Sequence, residues 1–317
     1  MPAKQGFPFL KMGASVAKQY RRSYMQKITL NTKRNLMGWT FIIPAVLLIT
    51  MMYFYPMIKS LLLSLGSGVG TNTRFVGLSN YFHMFKDKLF LQALKNTLLY
   101  LVIQVPIMLS VAIILAVFLN DKTIRMKGIF RTAIFLPCAT SLVSYAIIFR
   151  SIFAVDGIVN LVLLKTGIID TGYNFLGHPI SARIVMIIAL LWRWTGYNMV
   201  FFLAGLQGID PAVYEAARID GASFVQSFLK ITVPLLKPTI VLTAIISING
   251  TLQLFDESVN LTFGGPANST ITMTHYIYDV SFKYVPDFGY AAAMSYLILI
   301  IVASLSFIQL KIGDKRE

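Results

Sequence analysis

Residues 215–238 read EAARIDGASFVQSFLKITVPLLKP, and long apolar runs flank this stretch on both sides. It is polar at its start, rich in small residues and punctuated by Gly221, Pro234 and Pro238. Just upstream, Asp210 followed by Pro211 is a helix start. A carboxylate caps the first free N–H groups, and proline at the first helical position loses no bond. "AVYEAARI" continues the helix, and Gly221 after Asp220 ends it, because glycine accepts the left-handed conformation. Ser223 can cap a second short helix, "FVQSFLKIT". Pro234 and Pro238 are placed at the start of the next apolar run, where a missing N–H costs least. The element is therefore a helix, a glycine corner and a helix. Ala216, Ala217, Gly221 and Ala222 keep it slim enough for another surface to approach its backbone, and Glu215, Arg218 and Asp220 supply oriented charge. From the residues alone it fits either a docking surface or an ordinary loop with a surface helix.

The surrounding composition sets its context. The chain has 317 residues, 56% hydrophobic and 13% charged, against about a quarter charged in soluble domains. Mean hydropathy is +0.69, which places the chain among integral membrane proteins. The net charge of +15 fits the Lys/Arg excess of cytoplasmic loops better than nucleic-acid binding, which is not expected. Cys138 is a lone cysteine in an apolar run, read as a small buried hydrophobe. His83, His178 and His275 are scattered and match no metal-ligand spacing, so no metal site is expected.

A hydrocarbon core needs about 20 apolar residues in a helix. Six runs qualify, near 38–63, 93–119, 129–153, 181–207, 235–261 and 288–311, and lipid requires each to be helical. Residues 1–35 carry Lys4, Lys11, Lys18, Arg21, Arg22, Lys27, Lys33 and Arg34 and no acid. With no apolar region inside it, this segment reads as a basic cytoplasmic tail able to touch anionic lipid, not a secretory signal. The loop after the second run and the tail 312–317 are also basic, whereas 154–180 and 262–287 are not. The expected fold is therefore all-α and integral to the membrane, with six spans over 36–311 and both termini cytoplasmic. The 209–234 element then faces the cytoplasm. Loop 64–92 is expected to end in a small surface helix near "LSNYFHMF", and "FGGPANST" in 262–287 is a turn cluster.

The residues EAA at 215–217, Asp220-Gly221-Ala222, Phe228, Ile231, Pro234 and Pro238 resemble the EAA loop of binding-protein-dependent ABC importer permeases. "GIFRTAIFLPCATSLVSYAIIFRSIF", "WRWTGYNMVFFLAGLQGID" and the stretch from "LTFGGPANST" onward look like the carbohydrate-uptake branch. The likeness runs from about residue 37 to the end; the basic tail stands outside it. It implies a bacterial inner-membrane permease subunit for sugars or oligosaccharides. Its partners would be a second permease subunit, two ATPase subunits and an extracytoplasmic solute-binding protein. It also implies that Glu215, Ala216, Ala217, Asp220, Gly221, Ala222 and Pro234 couple the chain to the ATPase. No G-x-x-x-x-G-K-[ST] loop is present, so ATP and Mg are expected on the partner ATPase, with no cofactor and no catalytic residue in this chain. Alternatives are a permease for a phosphorylated polyol or acidic saccharide, and an ion-coupled carrier using Asp256 and Glu257.

Polar side chains inside a span are functional candidates by default. Asn249, Gln253, Asp256 and Asn260 recur at helical spacing in the fifth run and form a stripe suited to a polyhydroxylated ligand. The opposite face carries Ser247, Thr251, Leu254 and Ser258, which suit close helix packing but could also meet a ligand. The amide face is favoured for the pathway. In the fourth run Trp194, Gly196, Tyr197 and Asn198, next to Trp192, offer aromatic faces and an amide. Arg193 at that depth needs a partner such as Asp256 and is read as structural, the alternative being contact with an anionic sugar. Asp156 is read either as a contact near the outer mouth or as a helix cap.

Overall fold

The computed structural model describes residues 32, 35–69, 74–121 and 123–313. Apart from a few residues at their inner edges, the basic tail 1–35 and the tail 312–317 lie outside the described residues. The chain divides into two units, Met1–Ser60 and Leu61–Glu317. The described part of the first is most of helix α1 (Asn35–Ser64), whose apolar side chains are exposed. Thr50–Phe54 form a wide turn with an i to i−5 bond from Tyr55. That register suits the loss of a backbone donor at Pro56.

The second unit opens with a two-stranded antiparallel ribbon, β1 (Gly66–Ser67) and β2 (Arg74–Phe75). The expected surface helix follows as α2 (Ser79–Met84). Helix α3 (Lys88–Asn120) is capped by Asp87, whose carboxylate accepts from the N–H groups of Leu89 and Phe90. Then come α4 (Lys127–Ala139), α5 (Leu142–Ile152), the short α6 (Ile158–Lys165) and α7 (Pro179–Gln207). The polar element follows as α8 (Pro211–Ile219) and α9 (Phe224–Leu235), leading into α10 (Lys237–Leu252) and α11 (Asp256–Asn260). The chain finishes with α12 (Met273–Tyr278) and α13 (Phe288–Gly313).

Helices α3 and α7 form the spine. Val105, Met108, Ala112 and Ala116 pack on Met199, Phe202 and Leu206, with Leu236 closing the cluster. At the start of α3, Phe90 and Ala93 belong to one apolar cluster with Met273 of α12 and with Tyr290 and Met294 of α13, α12 packing on α3. Helix α4 lies against α7 at Gly196, where any Cβ would overlap the Ile134 carbonyl. Gly196 therefore serves helix packing rather than lining a pathway.

Two expected spans are broken. The run 129–153 bends by 100° between α4 and α5, because Thr140 and Ser141 are extended and Pro137 sits in the last turn of α4. The run 235–261 stops being helical at Leu252, and Gln253–Phe255 separate α10 from α11. The loop after α11 stabilises this break: the Thr272 hydroxyl donates to Leu254 O at 2.6 Å, and the Ser258 hydroxyl donates to Thr270 O at 2.9 Å. Helix α9 meets α10 at 70°. Pro234 thus lies in the last turn of α9 rather than at the start of the span, while Pro238 begins α10. Among the described residues, four helices are long and apolar enough to cross a membrane, or up to six if each bent pair is one span.

Candidate functional site

The 209–234 element folds as its residues dictate. Asp210 accepts from Ala212 N, Pro211 opens α8, and Ser223 and Gln226 form a reciprocal capping box at α9. At the corner Gly221 has φ +77°. Ala222 N bonds Ala217 O at 2.9 Å and Gly221 N bonds Arg218 O at 3.1 Å, the paired C-terminal closure that needs a left-handed residue. Tyr214 and Thr232 hydroxyls, 3.1 Å apart, tie α8 to α9. Of the small residues only Ala217 is buried; Glu215, Ala216, Asp220 and Gly221 are exposed and Ala222 is half-buried.

This corner is also apolar on its outside. Ile219 is 86% exposed, Phe224 64% and Val225 61%, more than a helix pair covering only itself would leave. The element is joined to the spine through the Phe118–Phe224 ring contact at 6.4 Å. Asp121, just past α3, is held below the ordinary carboxylate range by hydrogen bonds from Thr123, aided by Lys127 and Arg218. The corner is thus in contact with the end of α3 and continuous with the start of α10.

Deeper in the bundle, the structure separates the expected pathway residues. Asn198, Ser247 and Thr251 are buried and bonded to one another's helices. Ser247 donates to Asn198 Oδ1 at 3.1 Å, and Thr251 donates to Gln104 Oε1 at 3.3 Å. Asn198 Nδ2 donates to Trp194 O at 3.0 Å, and Gln104 Nε2 lies 3.0 Å from Met108 Sδ. These residues join α3, α7 and α10 as interhelical glue. Gln104 escaped notice in the sequence, although Thr97, Gln104 and Met108 share one face of α3.

The amide stripe is not one helical face. Asn249 is on α10, Gln253 ends it, and Asp256 and Asn260 belong to α11. Gln253 is exposed, while Trp194, Tyr197, Asn249 and Asp256 are half-buried. Asn249 Oδ1 is buried with no hydrogen-bond partner among the described residues. Trp194 and Tyr197 meet edge to face at 5.9 Å. These five residues are the part of the expected set that remains open to a ligand.

Arg193 is structural, as expected, but with different partners. Its Nη1 donates to Pro137 O at 3.4 Å and Thr140 Oγ1 at 3.3 Å, and Nη2 donates to Cys138 O at 3.4 Å. The guanidinium sits over Tyr145 at 4.8 Å and Trp194 at 5.3 Å. It satisfies the carbonyls that the α4–α5 break sets free, and no ion pair with Asp256 is formed. Asp156 lies exposed in a turn, and Gly157, not Asp156, is the N-cap of α6. No cluster of His, Cys, Asp or Glu fit to hold a metal occurs among the described residues.

A profile described as "Binding-protein-dependent transport system inner membrane component" matches residues 85–316. The chain belongs to that family. It is an inner-membrane permease subunit of an ABC importer, a transport component rather than an enzyme, and the ion-coupled carrier reading is set aside. Among its relatives is the lactose transport system permease protein LacF of Rhizobium radiobacter, 50% identical over 88% of this chain and 95% of that protein. The arabinooligosaccharides transport system permease protein AraP of Bacillus subtilis is 36% identical over 87% and 88%. A solved bacterial ABC transporter involved in import of the acidic polysaccharide alginate superposes with TM-score 0.79, covering 90% of this chain and 98% of that one at 22% identity. That likeness concerns the fold.

Proposed function

We propose that this permease subunit carries a neutral disaccharide or small oligosaccharide, of the lactose class, and forms half of the pathway with a second permease subunit. The observation that carries the energetic part is the exposed glycine corner of α8 and α9, with Ile219, Phe224 and Val225 uncovered beside Glu215 and Asp220. One of two ATPase subunits docks there, and ATP and Mg bind on those subunits. ATP-driven closure of the ATPases moves the corner, and the bundle alternates between inward-open and outward-open states. The substrate class rests on the 50% identity to a lactose permease. Trp194 and Tyr197 offer flat rings to a sugar, and Asn249 and Gln253 offer amides.

An extracytoplasmic solute-binding protein delivers the sugar; a related alginate transporter has been seen with its saccharide-loaded periplasmic protein. Purification of the tagged chain from native membranes tests the assembly. The expected result is co-purification of a second permease chain and an ATPase, plus a soluble protein that binds lactose or a related neutral saccharide. A co-purified soluble protein that binds only amino acids, or the absence of any ATPase, would contradict the reading.

A further inference from the structure

A cavity of about 370 Å³ opens beside the N-terminal ends of α3 and α7, under the loop that follows α11. Its lining includes Lys88, Gln92, Arg183, Asn268 and Ser269, and no acid. These helices continue for 33 and 29 residues towards the coupling corner. At about 1.5 Å per residue the cavity lies roughly 45–50 Å from that corner, across the membrane from it.

The cavity is built, not incidental. Asn96 is buried, and its Nδ2 donates to Asn268 O at 3.0 Å and Ile271 O at 2.9 Å, which pins the loop to α3. Asn96 Oδ1 accepts from Gln92 Nε2 at 3.1 Å and from Arg183 Nη2 at 3.2 Å. Arg183 Nε donates to Ser269 O at 2.8 Å. The guanidinium is therefore held at two points, and its Nη1 makes no hydrogen bond among the described residues. Neither Arg183 nor Lys88 has a carboxylate partner among them. The nearest acid in the chain, Asp87, is occupied: Oδ1 accepts from Leu89 N and Phe90 N, and Oδ2 accepts from the hydroxyls of Tyr276 and Tyr290.

A guanidinium held at two points and an exposed ammonium on the same rim, neither with a carboxylate partner among the described residues, form a site for an oxyanion. We infer that this cavity receives an acidic side chain, an Asp or Glu carboxylate, of the extracytoplasmic binding protein. The inference rests on the proposed function: the saccharide of that reading has no carboxylate, so the anion comes from the protein that delivers it. The Lys88 ammonium and Arg183 Nη1 take the carboxylate, and Ala267 and Asn268, both exposed at the rim, set the angle of approach. Such a pair fixes register and speeds encounter more than it adds affinity, and it weakens as salt rises.

The test uses the whole transporter with its co-purified binding protein in liposomes. A carbodiimide activates a carboxylate and joins it to a lysine amine as an amide, with the activating group leaving as a urea. The expected product is Lys88 linked to an Asp or Glu of the binding protein. In parallel, Lys88→Glu raises the concentration of binding protein that half-saturates ATPase stimulation by about tenfold at low salt. The maximum rate is kept, and 0.5 M NaCl removes most of the difference. If Lys86, Lys165 or Lys283 cross-link and Lys88 does not, or if Lys88→Glu leaves half-saturation unchanged, the inference is overturned. Transport of galacturonate by the wild type but not by Lys88→Glu would also overturn it, since the carboxylate would then be the sugar's. Wild-type complex that no saccharide-loaded binding protein stimulates would instead defeat the proposed function itself.

Discussion

Arg193 Nη2 donates to Cys138 O, and its Nη1 to Pro137 O, each at 3.4 Å, so one guanidinium from α7 helps close the end of α4 where the chain bends by 100° into α5. A helix end inside a membrane has no water to satisfy its carbonyls. Arg193 therefore adds to the closure that Thr140 already gives, whose N–H and hydroxyl both bond Pro137 O, at 3.3 and 2.7 Å. Arg193→Ala is expected to lower stability by about 2–3 kcal/mol, since hydrogen bonds from a charged donor are lost. Arg193→Lys restores little, because a single ammonium cannot reach both carbonyls in the fork geometry. Thermal unfolding of the purified complex in detergent checks both variants; equal midpoints for Arg193→Lys and wild type would contradict the fork.

The packed and open polar groups separate by readout. Asn198→Leu breaks the α7–α10 bond to Ser247 and leaves that hydroxyl unpaired. It should cost about 1 kcal/mol of stability, with little change in the sugar concentration needed for half-maximal uptake. Asn249→Ala should do the reverse. Its buried Oδ1 makes no hydrogen bond among the described residues, so the fold loses none; the amide's NH2 group is what the half-buried side chain offers the sugar, and half-saturation rises several-fold, as expected from about 1 kcal/mol of lost hydrogen bonding. Uptake kinetics and unfolding midpoints, measured on the same preparations, distinguish the two.

The Asp87 carboxyl gives the chain an acid limb. Burial pushes it up, but hydrogen bonds from Tyr276 and Tyr290 and from the N–H groups of Leu89 and Phe90 outweigh that and hold it below the usual carboxylate range. A carboxyl depressed in the folded state stabilises the fold above its unfolded value, about 3.9. That stabilisation is lost as pH falls through the lower folded value. Tyr276→Phe removes one donor and should move the acid-unfolding midpoint to higher pH. An unchanged midpoint between pH 2 and 5 would contradict this role.

The glycine corner was legible because its signals are local: Asp210-Pro211, Gly221 and Ser223 each act on neighbours within three residues, and each forms the predicted cap. The small surface helix after the ribbon and the turn cluster after α11 were legible for the same reason. The breaks at 140–141 and 253–255 were not, since helical spacing of apolar and polar residues reads on across them. What stabilises those breaks lies far away in sequence, in Arg193 on α7 and Thr272 beyond α11. The stripe from Asn249 to Asn260 assumed one helix, and its division followed from that long-range contact. The buried amides Asn96 and Gln104 escaped notice because a polar residue inside a span reads alike whether it faces a ligand or another helix.

Gly221 sits at φ +77° with open space around it, so a side chain there strains the backbone without a clash. For an ordinary residue this costs about 1–2 kcal/mol. In the proposed docking, bulk at the corner also meets the ATPase subunit. Gly221→Asp is expected to abolish transport while leaving insertion and the bundle intact. Glu215→Lys should do the same by reversing an exposed charge on the docking surface.

The most direct measurement is ATP-driven uptake of labelled lactose by the purified complex in sealed liposomes with its binding protein and no ion gradient. Wild-type complex is predicted to accumulate the sugar only when ATP is supplied on the side of the coupling corner. The Gly221→Asp complex, inserted to the same level, is predicted to accumulate none. Wild-type rates in the Gly221→Asp complex, or uptake that continues without ATP, would contradict the account.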